Sequence, residues 1–118
     1  MNAADPVSVK TRNRRERRSR ARELDDLRWV MADPKGRRIV WALLVKAGIS
    51  RISFSSDALQ MAFLEGSRNL GLMLQADVLE ACADLYLLAM DEAKTTLKRD
   101  DEAEVALTET PEKEDEHG

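Results

Sequence analysis

The chain of 118 residues has one cysteine, Cys82, and one histidine, His117. They cannot build a disulfide framework within one copy, and they fall short of the four Cys/His donors of a structural zinc site. No cofactor or metal is expected. Nucleophilic catalysis is equally short of parts, because no Ser or Cys stands with an oriented His base. Cys82 reads as a small core residue, with no basic cluster beside it to activate a thiolate. Long apolar runs are also missing. The longest, Ile39 to Val45, is far below the roughly 20 residues that span a bilayer. No membrane insertion is predicted, and the basic N-terminus lacks the apolar segment of a secretory signal. An intracellular, soluble product is the expectation. Aromatic residues make up 4% of the chain, and none interrupts the basic stretch near the N-terminus, which argues against base stacking on single strands.

Charge is abundant but segregated. The net charge of -3 combines residues 1–22, with eight Lys/Arg against two acids, residues 23–99, with ten against eleven, and residues 100–118, with one against nine. Three parts follow: a basic arm over 1–22, disordered or partly helical; a nearly neutral helical domain over 23–99; and an acidic disordered tail over 100–118. Met1 to Val9 is expected to be disordered. Within the arm, Lys10, Arg12, Arg14, Arg15, Arg17, Arg18, Arg20 and Arg22 are the candidate contacts. They suit nucleic-acid phosphates, through counterion release without sequence readout, or an acidic protein surface, the chain's own tail included.

The expected fold is all-α: a small bundle of three to four helices with a long central helix and charged disordered termini. Leu24, Leu27, Val30 and Met31 form the apolar edge of a first helix ending near Met31. Asp33 suits an N-cap and Pro34 a first helical turn. A second helix would bury Ile39, Val40, Leu43, Leu44 and Ala47, keep Lys35, Arg37, Arg38 and Lys46 wet, and stop at Gly48. Trp29 and Trp41 are expected at or beside the seam of these two helices. Ile49, Ile52 and Phe54 would cover one end of the core, and Ser55 or Ser56 would cap a long helix over about Asp57 to Ala81. A break near Cys82 to Asp84, with Asp84 as cap, would precede a last helix ending near Lys98.

The long helix carries the most informative stretch, Phe63 to Leu74. Phe63, Gly66, Leu70, Leu74, Val78 and Ala81 recur every three or four residues. Gly66, Ser67 and Gly71 weaken a helix, Gly by about 1 kcal/mol relative to Ala, so another helix is expected to cross there. Phe63, Gly66, Leu70, Gly71 and Leu74 are thus helix-packing candidates. Glu65, Arg68 and Asn69, three and four apart, suit a polar network between helices, or else a ligand or partner site. Leu72, Met73, Leu85, Leu87, Leu88 and Met90 exceed what one face of a small bundle needs, so a homo-oligomer or multi-copy assembly is expected.

The run Asp26 to Arg38, then Trp41-Ala42-Leu43-Leu44, Ala47-Gly48-Ile49, Ser53-Phe54 and the Phe63 to Leu74 segment, resembles the Bbp-nineteen-like family of small tailed-phage proteins over about residues 25–90. The resemblance implies a product of a tailed phage or prophage, encoded among virion and assembly genes. The charged ends lie outside the family pattern, so DNA contact is not inherited from it. Two functional expectations follow. One is a non-enzymatic virion-associated structural or assembly protein that binds portal, tail or internal core proteins, located in the virion and in the host cytoplasm during assembly. The other is a DNA-binding packaging or regulatory module using the basic arm.

Overall fold

The computed structural model describes residues 6–51 and 55–109, and among these every regular element is a helix: α1 (Pro6–Met31), α2 (Pro34–Ala47) and α3 (Ala58–Glu109). The all-α expectation holds, with a long central helix; the basic arm takes its helical alternative from Pro6 onward, and the acidic end is more ordered than the composition suggested. Residues 6–22 are helix continuous with the packed half of α1, and α3 runs past Lys98 to Glu109. Neither glycine nor proline follows Pro6 within α1, and Arg, Ala and Glu are strong helix formers. Once the packed turns nucleate such a helix, extending it costs little. Residues 1–5, 52–54 and 110–118, including Ile52 and Phe54, lie outside the described residues.

Local chemistry sets the corners. The α1–α2 link is Ala32-Asp33, and the Asp33 carboxylate accepts a 2.8 Å hydrogen bond from the Lys35 N–H while Pro34 opens the helix. Gly36 follows because a methyl group there would stand 2.8 Å from the Val30 carbonyl carbon and still closer to its oxygen. α2 ends at Gly48, whose φ of 80° lies in the left-handed region that glycine adopts without steric cost. α3 is capped by Asp57 rather than by Ser55 or Ser56: its carboxylate accepts from the Leu59 N–H at 3.0 Å, and Ser55 Oγ accepts from the Asp57 N–H.

The expected break near Cys82 is a kink within α3, where Cys82 leaves helical geometry (φ −164°, ψ 75°). A kink frees carbonyls of the preceding turn, and Arg28 Nε of α1 donates to the Ala81 carbonyl at 2.7 Å. Among the described residues the Asp84 carboxylate accepts no hydrogen bond that caps the second half. Gln75 Nε2 instead donates to the Tyr86 hydroxyl at 2.7 Å, spanning the kink from one side to the other.

The core is small. Met31, Val40, Leu44, Val78, Ala81, Cys82, Tyr86 and Ala89 are buried, with Leu24, Leu27, Val30, Trp41, Ile49, Leu74, Leu85 and Met90 packed around them. α2 runs antiparallel to α3, as Arg37 meets Glu92, Trp41 meets Tyr86 with ring centroids 5.8 Å apart, and Ala47 and Ile49 meet Gly71. Only the middle of α3 is therefore covered by α2. Its N-terminal turns and acidic C-terminal turns, like the basic half of α1, extend past the junction. The molecule measures 89 × 40 × 17 Å, in keeping with the roughly 78 Å length of a 52-residue helix.

Candidate functional site

Arg37 joins all three helices, a role its position on the expected wet face of α2 gave no sign of. Its side chain is buried. Nε and Nη2 donate to the two carboxylate oxygens of Glu92 on α3 at 2.6 and 3.2 Å, while Nη1 donates to the Met31 and Ala32 carbonyls at the end of α1 at 2.9 and 3.2 Å. Such a fork-to-fork pair is geometrically specific, and the same guanidinium satisfies terminal carbonyls of a helix. Each partner favours the other's charge: Arg37 holds the Glu92 carboxyl below the usual range, and Glu92 raises the Arg37 pKa. Sequence inspection misses this because the partners lie 55 positions apart.

The basic residues of α1 divide into two groups. Arg20 is a structural tie, donating to Asp77 at 2.8 Å and Glu80 at 2.6 Å on α3 and to Glu23 on its own helix at 3.1 Å. These hydrogen bonds, Asp77 first, raise its pKa further. Lys10, Arg12, Arg14, Arg15, Arg17, Arg18 and Arg22 are exposed and have no acidic partner among the described residues. Arg17 Nε reaches only the Asn13 carbonyl one turn back. Lys10, Arg14, Arg18 and Arg22 recur every four residues, forming a row with neighbours about 6 Å apart.

The residues expected to pack helices also separate. Gly71 is at a close approach, since a methyl group there would lie 2.6 Å from Ala47 Cβ. Leu74 packs against the core and Trp41 against Tyr86. Trp29, by contrast, is 80% exposed, because Met31, two residues on, faces inward and about 200° of helical rotation separates them. Phe63 and Leu70 are exposed and Gly66 faces open space: α2 ends opposite Gly71, so Phe63 and Gly66 lie beyond it, and Leu70 borders an open groove beside Leu43. Ile39 and Leu43 are likewise exposed. No hydrogen bond or ion pair joins Glu65, Arg68 and Asn69 among the described residues: Glu65 and Asn69 are exposed, and Arg68 Nε is buried without a partner.

A groove of 640 Å³ runs beside this segment, with Leu43 and Ala47 of α2 on one wall and Leu70, Gly71, Met73 and Leu74 of α3 on the other. Cys82 is buried, and burial, followed by the nearby Asp84 charge, pushes its thiol pKa up, away from the reactive thiolate. Among the described residues no group of three His, Cys, Asp or Glu side chains could hold a metal ion, and no helix is long and apolar enough to cross a membrane.

Comparison with known families matches residues 27–92 to the Bbp19-like phage protein family. The match covers more than half of the chain. The chain belongs to this family. Searches of curated proteins and of solved structures return no match. The matched span opens at Leu27 and closes at Glu92, so it takes in the α1–α2 corner, the whole of α2, the kink and both ends of the Arg37–Glu92 pair. The basic row of α1 and the acidic end of α3 fall outside it. The Bbp19-like region is thus the three-helix junction, and the charged extensions are built onto it.

Proposed function

We propose that this Bbp19-like phage protein is a non-enzymatic, virion-associated structural or assembly component whose chemistry is binding. Its partners are portal, tail or internal core proteins, and its basic helix reaches packaged DNA or an acidic neighbouring protein. The observation that carries the reading is the row Lys10, Arg14, Arg18 and Arg22, set on a helix that extends beyond the packed junction and left without acidic partners among the described residues. A rigid helix holds these cations at fixed spacing, so less conformational entropy is lost on contact than from a free arm. Mass spectrometry of purified phage particles should recover the protein at a stoichiometry tied to that of the portal or tail. Its absence from the particles overturns the virion assignment.

The same row favours a second reading, a DNA-binding packaging or regulatory module. Removing residues 1–22 would be a poor test, because it also removes Arg20 and its bridges to Asp77 and Glu80. The triple substitution Lys10→Gln, Arg14→Gln, Arg18→Gln leaves those bridges intact. In gel shifts across a salt series it should weaken DNA binding and flatten the log–log salt slope by about 2 to 3, close to 0.9 for each phosphate that is no longer neutralised. Unchanged affinity and slope would exclude phosphate binding by the row and leave the acidic protein surface as its target.

A further inference from the structure

The outer face of α3 before the junction follows a seven-residue repeat. Leu59, Phe63, Gly66, Leu70 and Met73 succeed one another at spacings of four, three, four and three, which keeps them on one seam of a helix packing against another helix. The stripe is open to solvent: Leu59 is 83% exposed, Phe63 72%, Leu70 67% and Met73 64%, and a methyl group at Gly66 would meet nothing within 4 Å. It stops at Asp77, where Arg20 of α1 engages α3. Among the described residues no helix of the same chain covers it.

We infer that this face binds a second copy of the chain, the two α3 helices crossing antiparallel about a two-fold axis at Gly66. Three observations select this occupant. First, the seam is self-complementary under that operation: Phe63 of one copy falls beside Leu70 of the other and Leu59 beside Met73, while the two Gly66 residues let the backbones approach. Second, the flanking positions Gln60, Ala62, Ser67, Asn69, Leu74 and Ala76 are small or uncharged, so identical chains meet no like-charge repulsion, which in paired helices is set at these positions. Third, an open groove lies beside Leu43, Leu70 and Met73, where this pairing would seat the first turns of the partner's α3. With Leu43, which is 49% exposed, the stripe offers on the order of 600 Å² of apolar side chain per copy, near the ~800 Å² per partner of a stable interface. A parallel pairing would place both junctions at the same end and stack the two Phe63 rings next to the gap left by glycine. The inference does not depend on the proposed virion role.

Analytical ultracentrifugation of the full chain should give twice the 13.3 kDa chain mass. Phe63→Glu should raise the dissociation constant by about thirtyfold or more, the scale of losing an interface hot spot. Because Phe63 is outside the core, circular dichroism of the variant monomer should stay helical. Orientation is read by oxidation of variants with one added cysteine, native Cys82 being buried. A mixture of Leu59→Cys and Met73→Cys chains should cross-link to each other, whereas neither variant should cross-link to itself. A monomeric wild type, an assembly other than a dimer, a dimer that tolerates Phe63→Glu, or self-linking of Leu59→Cys would each overturn the inference.

Discussion

Replacing glycine by alanine at three positions of the two packed helices should give three different outcomes, because the added methyl group meets different surroundings. At Gly36 it would stand 2.8 Å from the Val30 carbonyl carbon and 3.1 Å from Val30 Cγ1, with the carbonyl oxygen closer still. The obstacle is mostly backbone at the end of α1, which cannot rotate aside, so the corner must open by on the order of 1 Å against packed contacts that favour 3.5–4.0 Å. Overpacking of this kind costs about 1–3 kcal/mol, and the upper end applies where backbone is the obstacle. Alanine recovers about 1 kcal/mol of helix propensity. The net expectation for Gly36→Ala is a loss of about 2 kcal/mol. At Gly71 the methyl would lie 2.6 Å from Ala47 Cβ and 2.8 Å from Ile49 Cγ2. Ile49 can change rotamer and Ala47 cannot, so the propensity gain should be roughly cancelled or slightly exceeded. At Gly66 nothing opposes the methyl, and the gain of about 0.5–1 kcal/mol should be seen whole.

The series belongs in a Phe63→Glu background, which keeps the outer face of α3 free in every variant. Thermal unfolding followed by far-ultraviolet circular dichroism reads it at about 4–8 °C per kcal/mol for a domain of this size. Gly36→Ala should melt roughly 10 °C below its parent and Gly66→Ala a few degrees above it, with Gly71→Ala between them. The ordering is the test. A Gly36→Ala variant as stable as Gly66→Ala would refute the close approach of α2 to Val30, and with it the geometry of the corner.

The Arg37–Glu92 pair has a pH signature. Arg37 holds the Glu92 carboxyl below its unfolded value of about 4.3, so its contribution is complete above that value and fades as the pH falls through the folded-state value. Acid unfolding of the wild type should be steeper below about pH 4.3 than that of Glu92→Gln; equal steepness would mean the pair is not formed in solution. In α2, Leu44→Ala should cost about 2–5 kcal/mol, whereas Ile39→Ala, on the same expected stripe but exposed, should change stability by less than about 0.5 kcal/mol. Similar losses in urea denaturation would show that α2 is rotated about its axis from the orientation described.

Features governed by neighbours in sequence were legible before the structure. Asp33, Pro34 and Gly48 act within one turn of themselves, so side-chain chemistry and allowed φ were enough to place both ends of α2. The interruption at Cys82 was also legible, though its support was not. The carbonyl freed there is satisfied by Arg28, 53 positions earlier in the chain. Facing was harder to read. α3 carries apolar residues on more than one side, and Phe63 and Leu70 follow the same three-and-four spacing as Leu74 and Val78, so spacing alone does not separate the exposed members from the buried ones. Arg20 and Arg37 failed for a related reason. In sequence they match Arg18 and Arg38, and their acidic partners on α3 are 55 to 60 residues away. The acidic end misled because composition reports solvation rather than backbone order, and a sequence without breakers can propagate a helix from a packed end.

The distribution of contacts explains why so small a core can support so extended a molecule. The eight buried hydrophobic residues of the core, counted among the described residues, would hold three separate helices loosely, but polar ties stand where the helices change direction. Arg37 closes the corner between α1 and α2 onto Glu92, and Arg28 and the Gln75–Tyr86 bond brace the bend at Cys82. Each is directional, so together they fix angles that apolar contact alone leaves soft. The consequence reaches the surfaces. The apolar stripe and the acidic turns lie on opposite sides of the bend in α3, and the basic row is carried by the helix whose end Arg37 holds. Their mutual orientation is therefore set by the corner and the bend inside residues 27–92, the span shared with the Bbp19-like family, together with the Arg20 tie to Asp77 and Glu80, while their chemical character comes from residues mostly outside the core. A change at the bend or the corner would redirect all three surfaces at once, and a change on any one surface would leave the other two aimed as before.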